Sequence, residues 1–169
     1  MAVEKTLILN AEQINQKITR MAHEIYENYH RSKDVVLIGV SGNGSILADK
    51  ICTILQEISP LQIHRYDIGL DKVNPLSSDI KFTGNLKDLK NKYVILVDDV
   101  LNSGRTLIYA TRFLLESEMK MMTVATLVDR FHRRFPIRAE VVGLTLSTNI
   151  KEHVNVDFTK GSESVHLEA

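Results

Sequence analysis

Two adjacent carboxylates, Asp98 and Asp99, followed at once by Val100, Leu101, Asn102, Ser103, Gly104, Arg105 and Thr106, are the residues of this chain best suited to chemistry. Ionised carboxylates only accept hydrogen bonds, so a pair of them suits sugar hydroxyls or a magnesium ion beside phosphate. The loop after them carries one glycine, two hydroxyls and a guanidinium. Backbone N–H groups in such a loop, backed by the dipole of a following helix, form a seat for phosphate. Carboxylates next to a phosphate seat ask for a phosphorylated sugar. A bare Asp-Asp-x-x-x-x-Gly can also be a solvated turn with a cap, so the short motif alone leaves both readings open. It is not a Walker A loop, because no G-x-x-x-x-G-K-[ST] occurs in the chain.

The elements that must hold these residues are legible on either side. Tyr93 to Val97 is a continuous apolar run, the pattern of a strand buried on both faces. Leu107, Ala110, Phe113 and Leu114 recur at helical spacing. The same order appears earlier: Val35 to Val40 runs into Ser41-Gly42-Asn43-Gly44-Ser45 and then a helix to about Ile58. Two strand–glycine–helix turns can lie side by side at the C-terminal edge of a parallel sheet, where open α/β folds bind ligands.

The remaining elements follow the same alternation. Asn10 to Tyr29 is the clearest helix, with Asn10 and Gln13 placed for a capping box and Ile14, Ile18, Met21, Ala22, Ile25 and Tyr29 in one stripe. Thr19, Arg20 and His23 project from its other face. Leu61 to Asp67 reads as a strand, and the long connection of about residues 68–89 as either a lid or a weak hairpin. Met121 to Val128 is a further buried strand, followed by an arginine-rich segment to Arg138. Ala139–Leu146 and His153–Phe158 read as short closing strands, and the polar tail from about residue 159 is expected to fray. The sum is an α/β fold with a mostly parallel twisted sheet flanked by helices, in one domain of 169 residues.

Composition excludes several classes. Lys plus Arg and Asp plus Glu both number 21, so no global charge argues for nucleic acid. Cys52 is the only cysteine, which excludes an internal disulfide and a thiolate metal cluster. No run is long and apolar enough to span a membrane, so a cytoplasmic location is expected.

The segment around Asp98 resembles the phosphoribosyl-diphosphate (PRPP) motif of the type I phosphoribosyltransferases: an apolar run, two acidic residues, two aliphatics, then a loop ending Gly-basic-Thr. Two further segments sharpen the match. Val128 to Gly143, V-D-R-x-H-R-x-x-P-I-R-A-[DE]-x-V-G, and Ile18, Arg20, Ala22, His23, Glu24, Ile25 resemble the pyrimidine-operon attenuator and uracil phosphoribosyltransferase (PyrR) family. The likeness runs from Leu7 to Phe158. It implies the type I phosphoribosyltransferase fold with a flexible lid loop, and transfer of phosphoribosyl from PRPP to uracil with magnesium, giving UMP and diphosphate. Some members bind a leader RNA as well.

On that resemblance Asp98 and Asp99 are the catalytic pair, hold the ribose hydroxyls and meet magnesium only through PRPP. Val100 to Thr106 wrap the 5′-phosphate. Ser41, Gly42, Asn43 and Gly44 face the diphosphate, and Val128, Asp129 and Arg130 lie near the base. Thr19, Arg20, His23, His132, Arg133 and Arg138 are the residues that would face RNA, and a homodimer or higher homo-oligomer is implied. The chain also departs from the family. Its diphosphate loop has no arginine, so restoring one at Ser41 or Asn43 is expected to raise turnover, unless Lys72 or Lys81 of the lid supplies the charge. Asn102 stands where purine-specific relatives carry an Asp, which disfavours a purine. Leu144 replaces a frequent lysine, which weakens the case for RNA.

Overall fold

The computed structural model describes residues 5–169. Strand β5 (Tyr93–Leu101) is the middle of the molecule. It lies between β2 (Asp34–Val40) and β6 (Met121–Asp129) in a six-stranded sheet, with parallel partners on both sides. A strand in that place has no solvent face, which is why its apolar residues run without interruption. β3 (Gln62–Gly69) adds in parallel beyond β2, and β7 (Val141–Thr145) beyond β6. A two-residue strand, β4 (Lys81–Phe82), closes the β3 edge in the antiparallel sense.

Alternation along these strands decides which helix each residue meets. Val35, Leu37, Ile95 and Val97 pack in one core with α1 (Ala11–Tyr29) and α2 (Asn43–Ile58). Val36, Ile38, Val94 and Leu96 pack in the other with Leu107, Ala110 and Leu114 of α3 (Arg105–Leu114). The expected capping box is present: Asn10 Oδ1 accepts from Gln13 N at 2.9 Å, and Gln13 Oε1 accepts from Asn10 N at 3.0 Å.

Three elements differ from the sequence reading. The stretch after Thr159, expected to fray, forms strand β9 (Ser164–Glu168). Its alternating Val165 and Leu167 give it an apolar side, and Val165 is fully buried. β9 pairs antiparallel with β1 (Lys5–Leu9) and β8 (His153–Asp157), so β8 does not close the main sheet but joins a separate three-stranded one. The segment of about residues 68–89 is shorter as a free excursion than its sequence suggests. Ile68↔Phe82 and Gly69↔Lys81 pair at its base, and a 3-10 helix at Leu86–Leu89 is anchored by buried Leu89.

Candidate active site

β5 delivers the two carboxylates to the C-terminal edge of the sheet, but it does not treat them alike. Asp98 is buried, 3% exposed, and not the solvent-facing group that a strand end suggests. The first turn of α2 covers it: a Cβ at Gly44 would lie 2.9 Å from Asp98 Oδ1. Burial, and then the neighbouring charge of Asp99, push the Asp98 carboxyl up to about 8, while the charge of Lys72 pulls the other way. Asp99 is only half-buried. Its Oδ2 accepts from Asn43 Nδ2 at 3.0 Å, and Oδ1 accepts from Val100 N at 2.9 Å.

From Asp98 to Leu107 the chain folds around a cavity of about 100 Å³. The turn works because Gly104 caps α3 at φ 83, a left-handed conformation that a side chain resists. A Cβ there would also stand 2.6 Å from Ile137 Cγ2. The cavity therefore opens onto the N-terminus of α3, as the phosphate-seat reading requires. Lys72, thirty residues upstream of Asn102 in the sequence, completes the lining.

Ser41 to Gly44 behave differently. Gly42 caps α2 at φ 93, and the side chains around it are engaged inside the protein. Ser41 Oγ donates to the Ile68 carbonyl at 3.2 Å. Asn43 Nδ2 donates to Asp99 and also, at 2.8 Å, to the Val156 carbonyl of β8. Both N–H groups of the Asn43 amide are thus engaged inside the protein. Nothing in the sequence places β8 against this loop. Arg65, the nearest arginine on β3, is held by Asp67 at 2.8 Å and Asp49 at 2.9 Å.

A second cavity of about 450 Å³ adjoins the first and is lined by Asn102, Ser103, Arg130, Phe131, Arg133 and Ile150, among others. Arg130 is a clamp at its edge: buried, it donates to Asn102 Oδ1 at 3.0 Å, Thr148 Oγ1 at 2.9 Å and the carbonyls of Asn149 and Glu152. Asp129 is buried too and paired with Arg133, whose Nε is buried without a partner. Phe131 takes φ 64 and is 68% exposed at the cavity, with the Arg133 guanidinium carbon 5.1 Å from its ring centroid. Val128 is fully buried and does not line the cavity. Sequence reasoning missed Thr148 to Glu152, because they arrive on the connection to β8.

A family model for the phosphoribosyl transferase domain matches residues 6–159. The Bifunctional protein PyrR of Clostridium acetobutylicum is 38% identical over 172 residues, covering 96% of this chain and 97% of that one. The protein of the same name from Deinococcus radiodurans is 36% identical and covers 99% and 96%. The chain is a phosphoribosyltransferase of the PyrR family. Solved structures agree on the fold. A hypoxanthine-guanine phosphoribosyltransferase of Bacillus anthracis superposes with a TM-score of 0.72 at 23% identity, covering 88% of this chain and 86% of that one. The hypoxanthine phosphoribosyltransferase of Trypanosoma cruzi gives 0.75 at 17% identity, covering 97% and 91%.

The residues that the PyrR resemblance assigned to RNA fall into two groups. Thr19, Arg20 and His23 share a groove along α1 with Glu12, Asn15 and Gln16. Arg20 is partly committed there: it donates to the Val142 and Gly143 carbonyls at 2.7 and 2.9 Å and pairs with Glu24 at 3.2 Å. His132 and Arg133 line the second cavity instead, with the His132 ring bonded to the Thr148 carbonyl at 2.6 Å. Arg138 is exposed. Leu144 packs against the core. Among the described residues, no hydrogen bond or shared cavity joins the two groups.

Proposed function

We propose that this PyrR-family chain transfers the phosphoribosyl group of PRPP to uracil, releasing diphosphate and UMP. The observation that carries this reading is the small cavity with Asp98 and Asp99 at one end, the N-terminus of α3 at the other and Lys72 over it. In this reading the backbone N–H groups of Ser103 to Thr106 seat the 5′-phosphate. The half-exposed Asp99 accepts from the ribose hydroxyls, and Asn43 holds it in place. Asp98, beneath it, orients the turn. The second cavity, next to the first, receives the base: Phe131 offers a ring face, and Arg130 lines the wall. Asn102, fixed by Arg130, has no carboxylate with which to serve a purine ring, which favours a pyrimidine.

The residues present fit magnesium held by the substrate. Among the described residues no group of three or more His, Cys, Asp or Glu could hold a metal ion, and Asp99 is the accessible carboxylate beside the cavity. Bound with PRPP, magnesium supplies positive charge for the departing diphosphate. Lys72 adds to it from the protein side. Cys52, a free and partly buried thiol, accords with a reducing, cytoplasmic setting. A homodimer or higher homo-oligomer belongs to the same reading, with Leu7, Leu115 and Met121 among the exposed apolar side chains available to it.

UMP formation from PRPP, measured with uracil, hypoxanthine and guanine and with or without magnesium, tests the proposal. Turnover is expected with uracil and magnesium only. Asp99→Asn should lower it about 10²–10³-fold, the usual cost of removing one fixed electrostatic partner. Turnover with a purine but not uracil would overturn the base assignment. A second reading, binding of a pyrimidine-operon leader RNA, rests on the shared α1 groove of Thr19, Arg20 and His23. Gel shifts decide it: affinity that falls steeply with salt and exceeds that for a scrambled RNA supports the groove, and equal binding removes it.

A further inference from the structure

Arg105 belongs to two parts of the site at once. It is the first residue of α3, so its backbone N–H lies in the phosphate cradle, where it donates to Ser103 Oγ at 3.3 Å. Its side chain leaves the cradle. Nη1 donates to the Val73 carbonyl at 3.0 Å, and the guanidinium carbon lies 5.9 Å from the Phe135 ring centroid. Val73 follows directly on Lys72, the residue that completes the lining of the phosphate cavity.

The excursion that carries Lys72 is ordered within itself and held loosely from outside. Asp71 accepts from Val73 N at 2.9 Å, Asn74 N at 2.8 Å and Ser77 Oγ at 3.4 Å, which makes residues 71–77 one compact turn. Those backbone bonds hold the Asp71 carboxyl below the usual carboxylate range. Val73 and Leu76 are 75% and 72% exposed, and Pro75 is the one buried residue of the turn, so apolar burial fixes it against the body at a single point. Where burial is small, a single polar contact can decide the position.

We propose that Arg105 is a positioning residue that latches the 71–77 turn over the phosphate cradle and so aims Lys72 at the diphosphate. This rests on the function proposed above. A phosphate taken up by the cradle fixes the backbone of Arg105, the guanidinium holds the Val73 carbonyl, and Lys72 follows. The charge missing from Ser41 to Gly44 is then delivered by a segment that must be fastened first. The acceptor is a main-chain carbonyl, so the latch does not depend on the side chain at position 73. One exposed hydrogen bond shifts such an equilibrium by roughly three- to tenfold, strong enough to bias closure and weak enough to release product.

The latch also controls which nucleophile reacts. With the turn closed, a base nitrogen bonds to the anomeric carbon and gives its N–H proton to solvent, as the bond to diphosphate breaks and its electron pair leaves with diphosphate. With the turn open, a water oxygen bonds there instead and gives its proton to solvent, forming ribose 5-phosphate and diphosphate. Two measurements on Arg105→Ala and Arg105→Lys test this. Limited trypsin cleavage of the protein alone, followed as the fragment ending at Lys72, should be about three- to tenfold faster for R105A, with R105K between. In steady-state kinetics R105A should lower kcat more than it raises the KM for PRPP, and should increase the fraction of PRPP hydrolysed without base. An unchanged cleavage rate would overturn the latch. So would a raised KM with kcat unchanged, which would make Arg105 a simple phosphate ligand. Because the proteolysis needs no substrate, it decides the latch even if the protein makes no UMP.

Discussion

The turns Ser41–Gly44 and Asn102–Thr106 look interchangeable in sequence. Each follows a buried parallel strand, contains a glycine at positive φ before a helix, and supplies a hydroxyl and an amide. In the folded chain they have opposite fates. The first is occupied by its own protein, through Ser41 to Ile68 and Asn43 to Asp99 and Val156. The second encloses a cavity lined by Asn102 to Thr106. A turn becomes a binding site only where neighbouring elements leave its donors unused. The first turn serves the second by fixing Asp99.

The strongest way to break the comparison is to add the same methyl group to both glycines. Gly104→Ala should cost about 2–4 kcal/mol, combining a left-handed backbone with a clash against Ile137. Gly42→Ala has the same backbone problem but open space around its Cβ, so about 1 kcal/mol is expected. Urea unfolding of the two variants measures the gap, and equal losses would mean that the packing around Gly104 is not what shapes the cradle.

Arginine substitutions sharpen it further. Asn43→Arg removes the amide that holds both Asp99 and β8, so turnover should fall about tenfold rather than rise. Ser41 is exposed and gives up one hydrogen bond of 3.2 Å, so Ser41→Arg is the variant expected to raise turnover, by roughly three- to tenfold. Steady-state UMP formation separates them. If both variants rise, Asn43 is not needed to hold Asp99.

A last test is the most specific to Asp98. With its carboxyl pushed up to about 8, the folded chain without PRPP or magnesium binds a proton that the unfolded chain releases near pH 4. That stability is fully present below about pH 4 and is lost as pH rises through about 8. Urea unfolding at pH 5 and pH 9 should show wild type weaker at the higher pH. Asp98→Asn, which mimics the neutral acid, should flatten the difference. An unchanged pH dependence would place the loss on other groups.

Much of this protein was legible in order along the chain. The apolar run before Asp98, the capping box at Asn10 and the glycine turns are local signals, because strand burial and helix caps depend on residues a few positions apart. They sufficed for the alternating α/β fold and for the turn proposed as the phosphate cradle. What the sequence could not reveal depends on partners far away in it. Asp98 is buried because α2 folds over it, and Asn43 is occupied because β8 lies beside it. Residues 164–168 are ordered because β1 and β8 flank them, although their own alternation is too short to announce a strand. Lys72 and Arg105 line one cavity because the 71–77 turn, bonded to Arg105 through the Val73 carbonyl, folds back to it. Local pattern names the residues able to bind phosphate; which of them remain free to do so is settled by hydrogen bonds and burial that close over long stretches of chain.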